Sequence, residues 1–148
     1  HQDARIVSCS VSNGEMTVAY PWHGEAIGAT KKLLAGDLPK IGSNLKFEAR
    51  WCLRFGIKVR NWKWDTMLAA HVLDNRPGVS GIEFQAFVLL GVPPWDEGVG
   101  PFLSAKSANS KNRIKEVPLE RLLKYNCLDA LYEFHVARKQ AKLLGMKI

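Results

Sequence analysis

The stretch that decides the fold is Lys124-Tyr125-Asn126-Cys127-Leu128-Asp129-Ala130, near the start of the longest helix that the sequence predicts, at about 118–144. Apolar or small residues recur along this helix at steps of three and four, which predicts one buried stripe of Leu119, Leu123, Cys127, Ala130, Phe134, Ala137, Ala141 and Leu144. Tyr125 and Asp129 are four residues apart, so they share a helical face that we expect at the edge of this stripe. A phenol beside a carboxylate can hold a metal ion and a water molecule. Taken alone, however, the pattern is more often a surface aspartate beside a half-buried tyrosine.

Composition limits the class of protein. A chain of 148 residues with 47% apolar residues fits a single domain with a hydrophobic core. No apolar run is long enough to span a membrane, and the three distant cysteines predict buried thiols in a reducing cytosol, so a cytoplasmic location is expected. The formal net charge of +7 favours nucleic acid over a membrane surface as the partner, although many basic proteins bind neither. The abrupt start at His1 predicts a fragment of a longer protein.

The order of the predicted elements indicates an α/β fold with a mixed sheet. Strands are predicted at 5–11, 15–21, 38–43 and 62–64, and helices at 24–35, 45–55, 67–73, 82–90 and 118–144. The helix at 45–55 is expected to bury Phe47, Trp51 and Phe55, which recur every four residues. The segment 92–117 reads as a long loop, in which Lys111 and Arg113 suit contacts with a phosphate backbone or, equally well, a solvated surface.

A second helix-borne pair of polar residues lies upstream. Asn44 and Glu48 are four residues apart, so they share one face near a helix N-terminus. Taken singly, Asn44 is best interpreted as the N-cap and Glu48 as an acid that complements the helix dipole.

Three segments together resemble a known family: Asn44-Leu45-Lys46-Phe47-Glu48, then Trp64-Asp65-Thr66-Met67-Leu68-Ala69-Ala70, then Tyr125-Asn126-Cys127-Leu128-Asp129-Ala130-Leu131. Their order and spacing are similar to the second and third acidic motifs of the DEDD 3′–5′ exonucleases, and most similar to the proofreading domains of phage-type family-A DNA polymerases. The tyrosine four residues before the last aspartate marks the DEDDy subclass. The resemblance covers the whole chain.

This resemblance implies a ribonuclease H-like fold of three layers, with a mixed β-sheet between helices, and hydrolysis of the 3′-terminal phosphodiester of single-stranded DNA. Two divalent cations, Mg²⁺ or Mn²⁺, would activate a water molecule and stabilise the leaving oxygen. By analogy, Asp129 binds a metal directly, Glu48 holds the second metal, and Tyr125 orients the attacking water. Asn44 would position the terminal nucleotides, while Lys46 and Lys124, next to the acidic pairs, could contact phosphate.

The sequence departs from the family at two positions. Glu48 stands where the family most often has aspartate, and its extra methylene displaces the carboxylate. The first motif, an Asp-x-Glu on the central strand of the sheet, has no counterpart here, so the fold is expected to lack that strand. Because two of the four metal-site acids are then absent, we expect the chain alone to be inactive or nearly so.

Three functions therefore remain open. The first is the proofreading exonuclease of a DNA polymerase, with the polymerase domain in the same parent chain. The second is a stand-alone exonuclease of the ribonuclease D kind that acts on RNA. The third is a catalytically dead module that binds nucleic acid or serves as a scaffold.

Overall fold

The computed structural model describes residues 5–96, 98–105, 107 and 110–148. It begins with an antiparallel hairpin of β1 (Ser8–Ser12) and β2 (Thr17–Pro21). In the turn, the side chain of Asn13 accepts hydrogen bonds from the backbone N–H groups of Glu15 and Met16. Gly14 has a φ of 87°, and a Cβ atom there would overlap the ring of Phe134. Both the backbone angle and the close approach therefore require glycine.

The second pair of strands is parallel. Helix α1 (Glu25–Ala35) leads into β3 (Lys40–Gly42), and helix α2 (Leu45–Arg54) connects β3 to β4 (Trp62–Asp65). Ile41 is paired with Trp64 in the parallel register. Helix α2 thus serves as the crossover connection that parallel neighbours need.

The rest of the chain is helical. Its elements are α3 (Thr66–Leu73), α4 (Ile82–Leu90), α5 (Gly100–Leu103), a 3₁₀ turn (Ile114–Glu116) and α6 (Leu119–Leu143). The longer elements match the sequence-based predictions closely, whereas α5 and the 3₁₀ turn lie in the segment that was predicted to be loop. Lys106 in that segment lies outside the described residues.

Helix α6 is the central element, because both strands of the hairpin, β3, α3 and α4 all contact it. Its fully buried positions include Leu122, Val136 and Ala137, whereas Leu119 at its start is 49% exposed. The prediction of a single buried stripe is therefore only partly right. A helix that is covered from several sides has no single buried face, and Tyr125 lies between two core clusters instead of at an edge.

The prediction of a mixed α/β arrangement is confirmed, but the expected sheet is divided. Within the described ranges, β1 pairs only with β2 and β3 pairs only with β4, which gives two sheets of two strands each. This division agrees with the expectation that a central strand is missing. No helix among the described residues is long and apolar enough to cross a membrane.

Two predictions about burial are wrong. Phe47 is 52% exposed, and α2 has no fully buried residue, so its aromatic side chains do not form a core face. They contact one another instead, with the rings of Trp51 and Phe55 stacked at 5.7 Å. The three cysteines are free and half-buried, not fully buried.

Candidate functional site

Helix α6 places Tyr125 and Asp129 one turn apart. The Tyr125 hydroxyl donates a hydrogen bond to the Asp129 carboxylate. A second donor comes from the segment after α4, where the indole Nε1–H of Trp95 donates to Asp129 Oδ1 at 2.9 Å. Asp129 is therefore a carboxylate held by two donors at the boundary of the core.

The surroundings change the acidity of both groups. Burial raises the pKa of Asp129 to about 6, although the hydrogen bonds from Trp95 and Tyr125 act in the opposite direction. Burial, and after it the negative charge of Asp129, raise the pKa of the Tyr125 phenol well above its usual range. Tyr125 consequently keeps its proton at neutral pH and acts as a phenol, not as a phenolate.

The start of α2 is held by a contact that sequence reasoning missed. Asp65, at the end of β4, accepts hydrogen bonds from the backbone N–H groups of Asn44 and Leu45, at 3.1 and 2.8 Å. It also caps α3 through the N–H groups of Met67 and Leu68. Asn44 occupies the N-cap position of α2 as predicted, but its backbone is left-handed and its side chain makes no capping hydrogen bond. The Asp65 carboxylate accepts these backbone hydrogen bonds instead, and it does so at the start of both α2 and α3.

Glu48 lies on α2 and is exposed to solvent. The protein around it nevertheless raises the pKa of its carboxyl group through burial. After burial, the charge of Glu48 is a further cause of the raised pKa of the Cys9 thiol on β1, so the carboxylate lies within electrostatic reach of the hairpin.

A further acid, Glu133, lies one turn beyond Asp129 on α6. The Thr66 hydroxyl donates to Glu133 Oε1 at 2.9 Å. Burial raises the pKa of Glu133 to about 7, and the negative charges of Glu48 and Asp129 contribute in the same direction. Glu133 is thus within electrostatic reach of both predicted acids. The i, i+4 spacing from Asp129 was the sequence signal that could have identified it.

Glu83 in the first turn of α4 is a second acid that sequence reasoning missed. Burial, and after it the charge of Asp96, raise the pKa of its carboxyl group, while the backbone N–H of Trp95 acts in the opposite direction. Its Oε1 atom is buried without a hydrogen-bond partner. The charge of Glu83 contributes to the raised pKa of both Tyr125 and Asp129. Nothing in the local sequence around Glu83 points to this contact.

Comparison with known proteins assigns this arrangement to a family. The model of the 3′–5′ exonuclease domain of A-type DNA polymerases matches residues 1–144. The chain belongs to this 3′–5′ exonuclease family. It is also 28% identical to the DNA polymerase I of Chloroflexus aurantiacus over 137 residues, which cover 92% of this chain and 14% of that polymerase.

The exonuclease domain therefore spans about a seventh of the length of the relative that it matches. The family match confirms the resemblance to DEDD-type proofreading exonucleases and the expected fold class. With its two short sheets, the architecture is consistent with a ribonuclease H-like fold that lacks part of its sheet.

The carboxylate oxygens available in the exonuclease domain are suitable ligands for a hard divalent cation. Carboxylate oxygens are the ligands that Mg²⁺ and Mn²⁺ prefer, and Glu83 Oε1 is a buried oxygen without a partner. Among the residues described, no three His, Cys, Asp or Glu side chains are grouped closely enough to hold one ion. One or two protein carboxylates can still suffice for Mg²⁺, because water and substrate phosphate complete its shell.

The basic residues predicted to bind nucleic acid lie at the surface. Lys46, Lys124 and Lys111 are exposed, and so is Arg113. Arg113 is engaged within its own segment, since its guanidinium lies 5.0 Å from the centre of the Phe102 ring and 3.6 Å from Glu116 Oε2. Contact of these four side chains with phosphate stays a prediction.

Proposed function

We propose that this chain is the proofreading 3′–5′ exonuclease domain of a DNA polymerase and removes the terminal nucleotide of single-stranded DNA. The observation that carries the proposal is the Asp129 carboxylate, held by Tyr125 and Trp95 within reach of other acids. The family match and the similarity to a DNA polymerase I support it, and they favour DNA over RNA as the substrate.

In this proposal Tyr125 orients the attacking water. Its raised pKa keeps the phenol protonated, so the hydroxyl can donate one hydrogen bond to Asp129 and accept another from water. The same phenol would be a poor general base, because a phenol that keeps its own proton cannot accept one from the water. Tyr125 therefore contributes by holding the water in position to attack the phosphodiester.

Asp129 and Glu48 are the proposed ligands of two divalent cations, Mg²⁺ or Mn²⁺. When bound, such ions stabilise the negative charge that gathers on the phosphoryl group and the leaving 3′-oxygen. The remaining carboxylates would come from an Asp-x-Glu strand that precedes residue 1 in the parent polypeptide. We therefore expect the 148-residue chain alone to be inactive or nearly so.

The strand of DNA would approach along the start of α2 and the start of α6. Asn44 and Lys46 lie at the N-terminus of α2, and exposed Lys124 directly precedes Tyr125. We propose that Asn44 positions the terminal nucleotides and that the lysines bind their phosphates. Lys111 and Arg113 would contact the strand further from its 3′ end.

A catalytically inactive nucleic-acid-binding module is the second candidate. The observation that favours it is that the described residues hold no group of three ligands for a metal ion. Such a module would retain the basic surface and bind single strands without hydrolysing them.

Cleavage of a 5′-labelled single-stranded DNA in the presence of Mn²⁺ separates the two candidates. One sample is the polypeptide extended upstream as its gene encodes it, and we expect it to produce a ladder of DNA products shortened at the 3′ end. We expect the 148-residue chain to produce little or no shortened DNA. Asp129→Asn should slow the extended polypeptide by about a hundredfold or more. An RNA strand of the same sequence tests the ribonuclease alternative. Binding without any shortening would leave only the inactive module.

A further inference from the structure

Trp95 connects two acids that lie on different helices. Its indole Nε1–H donates to Asp129 on α6 at 2.9 Å, and its backbone N–H lies near enough to Glu83 on α4 to lower the pKa of that carboxyl group. These two helices pack directly against each other. One residue thus interacts with two carboxylates, and the charges of both raise the pKa of Tyr125.

The indole itself has little freedom to move. Trp95 is 6% exposed and belongs to a core cluster with Ala86 of α4 and Val136 of α6. Its ring contacts that of Tyr132, with the centroids 4.7 Å apart. A donor fixed by packing on several sides restricts the rotation of the carboxylate that it holds.

We propose that Trp95 is a positioning residue that fixes the Asp129 carboxylate in the orientation in which it binds a divalent cation. The indole occupies one lone pair of Oδ1 and the Tyr125 hydroxyl a second site on the carboxylate, which leaves the remaining lone pairs available to a cation. Partners of this kind orient a ligand before the ion arrives, and their loss typically weakens metal binding about ten- to a hundredfold. The inference rests on the proposed role of Asp129 as a metal ligand.

Trp95→Phe is the decisive variant, because it removes the N–H donor while keeping an aromatic ring and the backbone contact to Glu83. Trp64→Phe is a matched control. Trp64 is also buried, at 7% exposure, and its Nε1–H donates at 3.1 Å, but to the amide oxygen of Gln140 instead of a carboxylate. Both substitutions therefore remove one buried indole hydrogen bond.

Mn²⁺ binding to the polypeptide extended upstream, which would carry the proposed Asp-x-Glu carboxylates, is followed by the relaxation of water protons and measures the effect without requiring activity. The loss of binding in Asp129→Asn defines the part of the isotherm that depends on Asp129. We expect Trp95→Phe to weaken the Asp129-dependent binding of Mn²⁺ about ten- to a hundredfold, and Trp64→Phe to leave this binding unchanged. A merely structural role of Trp95 would make the two tryptophan variants behave alike.

The outcomes separate the inference from the proposed function. If Asp129→Asn weakens binding and Trp95→Phe does not, the positioning role is wrong while the role of Asp129 stands. If Asp129→Asn has no effect on Mn²⁺ binding, the proposed metal ligand is wrong and the inference is wrong with it.

A second measurement uses the unmodified chain, in case Trp95→Phe does not fold. The ¹H–¹⁵N resonance of the Trp95 indole is expected to shift as Mg²⁺ is added, because the ion draws charge from the carboxylate that accepts its hydrogen bond. The Trp64 indole, bonded to a neutral amide, serves as the internal reference. A Trp95 resonance that moves no more than that of Trp64 would overturn the proposal.

Discussion

Glu133 is a carboxylic acid whose ionisation is strongly disfavoured by its surroundings, above all by burial. Its carboxyl group is largely buried, it accepts one hydrogen bond from Thr66, and the charges of Glu48 and Asp129 oppose its own. Burial, and after it the charges of Glu48 and Asp129, raise its pKa from the ordinary 4.5 to about 7, although the hydrogen bond from Thr66 acts in the opposite direction. In the folded chain Glu133 therefore retains its proton at a pH where it has lost it in the unfolded chain.

This difference predicts how stability depends on pH. Because the folded state binds more protons than the unfolded state, the free energy of unfolding should fall as the pH rises from about 4.5 through about 7. Glu133→Gln removes the ionisation and can still accept the bond from Thr66. We expect the variant to be more stable than wild type by roughly 1–3 kcal/mol at high pH and nearly equal to it at low pH.

Urea unfolding at pH 4 and pH 8 measures this effect. Glu120→Gln, an exposed acid at the start of the same helix, is the matched control and should change little. Equal destabilisation of Glu133→Gln at both pH values would mean that Glu133 serves as an ordinary hydrogen-bonding partner in the core.

At the scale of elements, Asp65 joins α2 to α3. One carboxylate accepts four backbone hydrogen bonds, two at the start of each helix. The cap of α3 could be predicted, because an aspartate preceded the periodic residues. The second cap could not, because Asp65 follows Asn44 by 21 residues and meets it only after β3 and β4 have paired.

Replacing Asp65 by alanine should destabilise both helices together. The loss of one cap costs about 0.5–2 kcal/mol, so we expect the loss of two to lower the free energy of unfolding by roughly 1–4 kcal/mol. Asp37→Ala, which removes an exposed acid paired with Arg60, is the control and should cost much less. A cost for Asp65→Ala no greater than that of a single cap would show that α2 does not depend on it.

The buried amide of Gln140 connects further elements. Gln140 is fully buried, accepts from the Trp64 indole, and donates to the backbone carbonyl of Thr66 and to Gln85 Oε1, at 3.1, 3.0 and 3.3 Å. Periodicity alone would assign such a position to an apolar residue. Sequence reasoning missed it because the partners lie on β4, α3 and α4, far away in the chain.

Gln140→Leu should therefore be costly although leucine is apolar. It leaves the Trp64 N–H and its other partners without hydrogen bonds, which predicts a loss on the order of 2–4 kcal/mol. Combining it with Trp64→Phe removes the orphaned donor, so the double variant should lose less than the sum of the single variants. Additive losses in thermal or urea unfolding would contradict direct coupling.

At the scale of the whole molecule, the sequence predicted the elements and the acidic motifs but not the surroundings of the site. Tyr125 and Asp129 were predictable because helical spacing places them together. The contact of Trp95 with Asp129 was not predictable, because the two residues are 34 positions apart. The helical spacing from Asp129 could have identified Glu133, but not its contact with Thr66 across 67 residues. Contacts of this range depend on how α4, the following segment and α6 pack.

The division of the sheet leads to the last prediction. In the part of the chain that the structure describes, β1 and β3 each have a strand on one side only, so each presents a row of backbone groups without sheet partners. If the proposed Asp-x-Glu strand precedes residue 1, it would pair with both edges and join the two sheets. Long-range pairing of this kind stabilises edges that otherwise exchange with solvent.

Hydrogen exchange can compare the 148-residue chain with the polypeptide extended upstream. We expect slower exchange in β1 and β3 of the extended polypeptide and little change in β2 and β4, because the outer strands keep the partners they already have. An extension of equal length in which a proline interrupts the strand is the control, since proline cannot donate to a ladder. If all four strands exchange at the same rates with and without the extension, the joining strand does not lie between β1 and β3, and the missing carboxylates must reach Asp129 by another route.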